Sequence, residues 1–144
     1  KFFNVEDGTG SALAYYAKLP IALISGRYSK STEIRAKELK IQNCLYTLNK
    51  KLALKELAKI YSVSFNEIAY IGDSLVDLPV LSIVGLPITV NNGHILCKKD
   101  AIWITKKNGG EGIILEVVER ILIEQNIYKK TINKMKKDKF DENN

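Results

Sequence analysis

AYIGDSLVDLP, residues Ala69 to Pro79, is a short apolar run that stops at Gly72 and gives way to two acids four residues apart. Such a run, ending at a glycine, reads as a buried parallel strand closed by a tight turn, with Asp73 and Asp77 at its carboxyl end. In open α/β sheets that edge is where ligands bind, because loop backbone and helix amino termini converge there. Two carboxylates at such an edge point to a hard cation, since Mg²⁺ is held by one or two carboxylates together with waters and phosphate oxygens. The structural alternative is a helix cap at Asp73 with Asp77 on the solvent face.

Outward from this stretch, strand-like and helix-like segments alternate. Residues 21–25 (IALIS) are too apolar to keep a solvent face and read as a parallel strand, and residues 43–46 and 68–71 read as further strands. Residues 86–90 and 101–105 complete the set. Asp7-Gly8-Thr9-Gly10 reads as a turn ahead of a helix over residues 11–18, and further helices are expected over 31–40, 50–61, 75–84, 94–99 and 112–125. In the helix of residues 50–61, Leu52, Leu57 and Ile60 are expected to face inward. Ser64 and Glu67 have the spacing of a capping box, and Pro79 sits early enough in its helix to cost little. Short connections between alternating strands and helices predict right-handed crossovers and one parallel sheet, an α/β three-layer Rossmann-like fold.

With 144 residues, 46% of them hydrophobic, the chain can bury a proper core. No apolar run is long enough to span a bilayer and no leader pattern is present, so the expected location is the cytoplasm, with no membrane partner. Cys44 and Cys97 lack metal-ligand spacing and read as reduced structural residues. The net charge of +6 is concentrated at one end: after residue 127 come Lys129, Lys130, Lys134, Lys136, Lys137 and Lys139 against Asp138, Asp141 and Glu142. Half the excess thus lies in a polar segment that reads as a solvated tail, and no nucleic-acid module motif accompanies it, so no nucleic-acid partner is expected. The expected division is a folded domain over residues 1–126 and a lysine-rich tail over 127–144. His94 reads as a helix cap or surface residue and Trp103 as core.

Ser25 closes the first strand, Lys50 opens a helix 25 residues later, and Asp73 follows after 23 more, about one strand-helix unit each time. A hydroxyl, an ammonium and a carboxylate on one sheet edge form a site for a phosphoryl group and a cation. The serine donates to a phosphoryl oxygen, the lysine offsets its charge, and the acid holds the metal. Taken singly, Ser25 reads as a turn former and Lys50 as a surface lysine; their order and spacing carry the weight.

ISGR at Ile24 to Arg27, Lys50, and GDSLVDLP at Gly72 to Pro79 resemble the second, third and fourth motifs of the haloacid dehalogenase superfamily. FNVEDGTG at residues 3–10, RAKELKI at 35–41 and GGEG at 109–112 are similar to its capless phosphatases of 3-deoxy-D-manno-octulosonate 8-phosphate and of nonulosonate, sialic-acid-type 9-phosphates. The former serve lipopolysaccharide biosynthesis, and the same domain trails some acylneuraminate cytidylyltransferases. The resemblance implies a Mg²⁺-dependent phosphomonoesterase of a small sugar-acid phosphate, working through an aspartyl-phosphate. It implies that Ser25 and Lys50 hold the phosphoryl group and that Asp73 ligates Mg²⁺, with Asp77 supporting the metal through water or through a bond to a ligating group. It places Asn4, Glu6, Asp7, Gly8, Gly26, Arg27 and Glu111 on the substrate side, residues 4–8 as a loop, and it implies a homotetramer.

The chain departs from the family pattern at three places. No Asp-x-Asp pair occurs anywhere in it, so the first motif and its central strand are missing. Glu6 and Glu111 stand where the family often has basic residues, which removes candidate partners for a sugar carboxylate and keeps a nonulosonate substrate open as the alternative to an octulosonate one. Ser74 stands where a second acid is common. A chain that opens with Lys1 inside the matching region is expected to be a piece of a longer polypeptide, or else a degenerate copy without hydrolytic power. As alternatives to a phosphatase, a non-catalytic domain beside a cytidylyltransferase keeps the same fold, whereas a phosphoacceptor receiver would carry its acid pair ahead of the hydroxyl and lysine.

Overall fold

A computed structural model describes residues 4–138. In chain order the elements are α1 (Val5–Tyr16), β1 (Ala22–Ser25), α2 (Lys30–Glu38), β2 (Asn43–Tyr46), α3 (Lys50–Tyr61), β3 (Ala69–Ile71), α4 (Leu78–Leu81), β4 (Leu86–Thr89), α5 (Ile95–Asp100), β5 (Trp103–Ile104), α6 (Ile113–Glu124) and α7 (Tyr128–Lys136). Two 3-10 turns, Phe65–Glu67 and Leu75–Asp77, precede β3 and α4. The described residues divide into two compact units, residues 22–109 and a helical unit built from residues up to 21 together with those from 110 onward.

In the larger unit every strand pairing is parallel, as the apolar runs require. The pairing falls into two sheets, β1-β2 and β3-β4-β5. Among the described residues β1 therefore pairs along one edge only, with β2, and β3 along one edge only, with β4. The expected single sheet is interrupted at the position where the resemblance sets the missing first-motif strand. The core of this unit gathers Leu54, Tyr70, Val80, Leu81, Val84 and Cys97, with Ile24, Phe65, Ile68, Leu78 and Ile83 around them. α3 buries Ala53, Leu54, Leu57 and Ala58. Leu57 faces inward as expected, but Leu52 and Ile60 are exposed, because the small-large pattern of Ala53, Leu54, Leu57 and Ala58 makes the better packing face. The Ser64 capping box forms, with the Ser64 amide donating to Glu67 Oε1. The helix expected over residues 75–84 is a 3-10 turn and then a single α turn containing Pro79.

In the helical unit, α1 starts six residues earlier than expected and takes in Asp7-Gly8-Thr9-Gly10. Asn4 caps it by accepting from the Glu6 amide at 2.8 Å, and Glu6 and Asp7 place negative charge in the first turn, where the helix dipole favours it. Gly10 serves helix contact, not a turn: a Cβ there would lie 2.5 Å from the Leu115 amide nitrogen of α6. The cap of α6 is Gly112, with φ +87, so no side chain of its own satisfies the first amides. Asp7 Oδ1 instead accepts from the Ile114 amide at 3.3 Å.

The lysine-rich segment expected as a solvated tail forms α7 over Tyr128–Lys136. Ile127, Tyr128, Ile132 and Met135 pack against the core of Leu13, Ala14, Val118 and Leu122, while Lys129, Lys130, Lys134 and Lys136 stay exposed. Apolar residues at helical spacing among the lysines make this an amphipathic helix. Lys139, Asp141 and Glu142 lie outside the described residues. No helix among the described residues is long and apolar enough to cross a membrane.

Candidate active site

Lys50 is the first residue of α3, whose amino end is fixed by Asn49 accepting from the Leu52 amide at 3.1 Å. Its ammonium donates to Asp77 Oδ1 at 2.8 Å, and both side chains are nearly out of solvent, 12% and 3% exposed. This bond joins the segment after β2 to the segment after β3, so the carboxyl ends of the two sheets meet. The Tyr70 hydroxyl, from β3, donates to the same Oδ1 at 2.6 Å. Asp77 Oδ2 accepts from the Asp73 amide at 2.9 Å, the Ser74 amide at 3.1 Å and Ser74 Oγ at 3.4 Å.

Both oxygens of Asp77 are thus fully engaged. The expectation that Asp77 supports the metal takes a specific form here. The carboxylate acts from behind, clamping the turn that carries Asp73, and direct ligation would require it to give up donors. Burial pushes its carboxyl up, but the bonds from Lys50, Tyr70 and Ser74 outweigh that and hold it below the ordinary range. Burial first, and then the bond to Asp77, raise the Tyr70 phenol, so it stays a donor. Gly72 admits this packing, since a Cβ there would come within 2.5 Å of Asp77 Cβ.

Asp73 is held through its backbone alone. Its amide donates to Asp77, and its carbonyl accepts from the His94 amide at 2.9 Å. His94 caps α5 as expected, Nδ1 accepting from the Leu96 amide at 3.0 Å. Buried Cys97 donates from Sγ to the Ser74 carbonyl on the same turn. The Asp73 side chain is exposed and, among the described residues, carries no hydrogen bond or ion pair. A rigid turn with one unengaged carboxylate suits a hard cation that takes few protein ligands. Among the described residues no cluster of three His, Cys, Asp or Glu exists to hold a metal such as zinc in a closed site.

Ser25 closes β1, with Oγ donating to the Arg27 carbonyl at 2.9 Å and its own carbonyl accepting from the Thr47 amide. It shares no hydrogen bond with Lys50 or Asp73. Its place is set by the parallel register, Ser25 opposite Tyr46 at the carboxyl end of both strands. Gly26 lies against Leu48, and Arg27 is exposed.

The remaining sequence candidates belong to the helical unit. Residues 5–8, expected as a loop, are the first turn of α1. Asn4 and Asp7 act there as helix caps, Gly8 is helical, and Glu6 folds against Gly112, where a Cβ would lie 2.6 Å from its Oε2. Glu111 is exposed beside Gly112. Tyr70 is the site residue that sequence reasoning passed over. The one available signal was a phenol in an otherwise aliphatic strand leading straight into the acidic turn.

Residues 44–117 match the haloacid dehalogenase-like hydrolase family. The 3-deoxy-D-manno-octulosonate 8-phosphate phosphatase of Yersinia pestis is 37% identical over 126 residues, covering 87% of this chain and 67% of that enzyme. The chain belongs to the haloacid dehalogenase-like hydrolases. The same phosphatase of Escherichia coli K12 is 36% identical over 127 residues, with the same coverage. Among solved structures, a probable phosphatase of Pseudomonas syringae superposes with a TM-score of 0.89 at 34% identity, covering 92% of this chain and 76% of that one. The octulosonate 8-phosphate phosphatase of Moraxella catarrhalis, solved with magnesium, phosphate and its sugar acid, gives 0.87 at 36% identity and the same coverage. This haloacid dehalogenase-like chain is therefore kin to phosphatases, as its motifs implied.

Proposed function

We propose that this chain carries the phosphoryl- and metal-binding part of a Mg²⁺-dependent phosphomonoesterase acting on a 2-keto-3-deoxy sugar-acid phosphate of the 3-deoxy-D-manno-octulosonate 8-phosphate type. The observation that carries the reading is the linkage Lys50–Asp77–Asp73, which fixes an ammonium and an unengaged carboxylate on one loop cluster. Ser25 donates to a phosphoryl oxygen, Lys50 offsets its charge, and Asp73 holds the cation, which when bound neutralises charge developing on the transferred group. Gly26 and Arg27, on the loop that follows Ser25, are assigned to the phosphoryl side.

The reaction runs through an aspartyl-phosphate on a carboxylate that is not among these 144 residues, none of which forms an Asp-x-Asp pair. The interruption between β1 and β3 supports a strand supplied from outside this sequence. Glu6 and Glu111, acidic where the family often carries a base, keep a nonulosonate 9-phosphate open as the second reading. A cytoplasmic homotetramer is proposed with the family assignment.

The test is phosphate release by the polypeptide that includes the first-motif strand, offered an octulosonate 8-phosphate and a nonulosonate 9-phosphate in turn. Release with Mg²⁺ that stops on chelation is expected, and the preferred sugar acid chooses between the two readings. A folded protein that hydrolyses neither would instead make this a non-catalytic domain of the same fold.

A further inference from the structure

Asp77 Oδ1 takes two donors, Lys50 Nζ at 2.8 Å and the Tyr70 hydroxyl at 2.6 Å, while Oδ2 is filled by the Asp73 turn. A carboxylate oxygen offers two in-plane lone pairs, and a short bond from a buried phenol occupies one of them. The ammonium is thereby confined to the other. Because Tyr70 lies on β3 in the core, its hydroxyl is a fixed reference, whereas Lys50 ends a flexible four-carbon stem. We propose that Tyr70 is a positioning residue, its hydroxyl orienting the Asp77 carboxylate so that Lys50 is aimed at the phosphoryl group and is not drawn fully onto Asp77.

Without that hydroxyl, Oδ1 is left with one strong donor. The carboxylate then rotates toward Lys50 and holds it more tightly, which takes the ammonium away from an incoming anion. Tyr70→Phe keeps the ring that packs with Leu54, Val80 and Leu81, so it removes the donor and leaves the core shape intact. The inference rests on the phosphoryl-binding role of Lys50 proposed above.

The experiment is titration of inorganic phosphate, in the presence of Mg²⁺, into four proteins: the unaltered chain, Tyr70→Phe, Lys50→Met and the double variant. Tyr70→Phe is expected to weaken phosphate binding about tenfold in the unaltered background and by less than about twofold in the Lys50→Met background. A purely structural tyrosine would weaken binding by the same factor in both, which overturns the proposal. So does unchanged affinity in Tyr70→Phe, or a Tyr70→Phe protein that does not fold. If the unaltered chain takes no phosphate, the phosphoryl-binding reading falls and the inference with it. If it takes phosphate and Tyr70→Phe takes it equally well, the inference alone falls.

Discussion

Asp77→Ala is expected to destabilise the protein by about 3 to 5 kcal/mol, the usual result of leaving one member of a buried ion pair without its partner. Lys50 would keep its charge in a place that is 12% exposed, the Tyr70 hydroxyl would lose its acceptor, and the amides of Asp73 and Ser74 would be left to water. Urea unfolding measures the loss directly as a lower midpoint. The pH dependence carries a sign of its own. The folded-state carboxyl lies below its ordinary value of 3.8, so its contribution is complete above that value and disappears as the pH falls through the folded one. Asp77→Ala should accordingly show a flatter loss of stability than the unaltered protein as the pH is lowered from about 5.

Asp73→Asn should do the opposite: leave the fold alone and remove the chemistry. The side chain is exposed and carries no hydrogen bond among the described residues, so its exchange should change stability by no more than about 0.5 kcal/mol. An amide does not replace the charge that holds a hard cation. With the first-motif strand present, Mg²⁺-dependent phosphate release should fall by about 10³-fold, the factor that corresponds to several kcal/mol of charge stabilisation. The pair of variants therefore separates two acids four residues apart into a clamp and a ligand.

Residue pattern alone does not make that separation, since Asp73 and Asp77 are both acids on one turn; only the family resemblance set Asp73 on the metal and Asp77 in a supporting role. Local pattern was enough for β2 and α3, whose bounds coincide with the apolar runs and the Asn49 cap that specify them, and for the Ser64 box. It was enough for the acidic turn too, because a strand ending at glycine followed by acids has few other readings. What decided the roles of the acids was a contact across 27 residues, Lys50 to Asp77, and a phenol underneath it. No periodicity reports such a partnership. In the same way DGTG reads as a turn until α6 is known to lie against Gly10, and the lysines of α7 outweigh the apolar stripe that packs it. Local reading failed where a distant element supplied the partner, which is where tertiary context overrides propensity.

The central claim, that Ser25, Lys50 and Asp73 serve one phosphoryl group and its cation, is tested most directly by an electron-density map of crystals grown with Mg²⁺ and inorganic phosphate. The account predicts phosphate within hydrogen-bonding reach of both Ser25 Oγ and Lys50 Nζ, with the cation on the Asp73 carboxylate. A phosphate seated away from Ser25 and Lys50, or a Mg²⁺ that ignores Asp73, would contradict it.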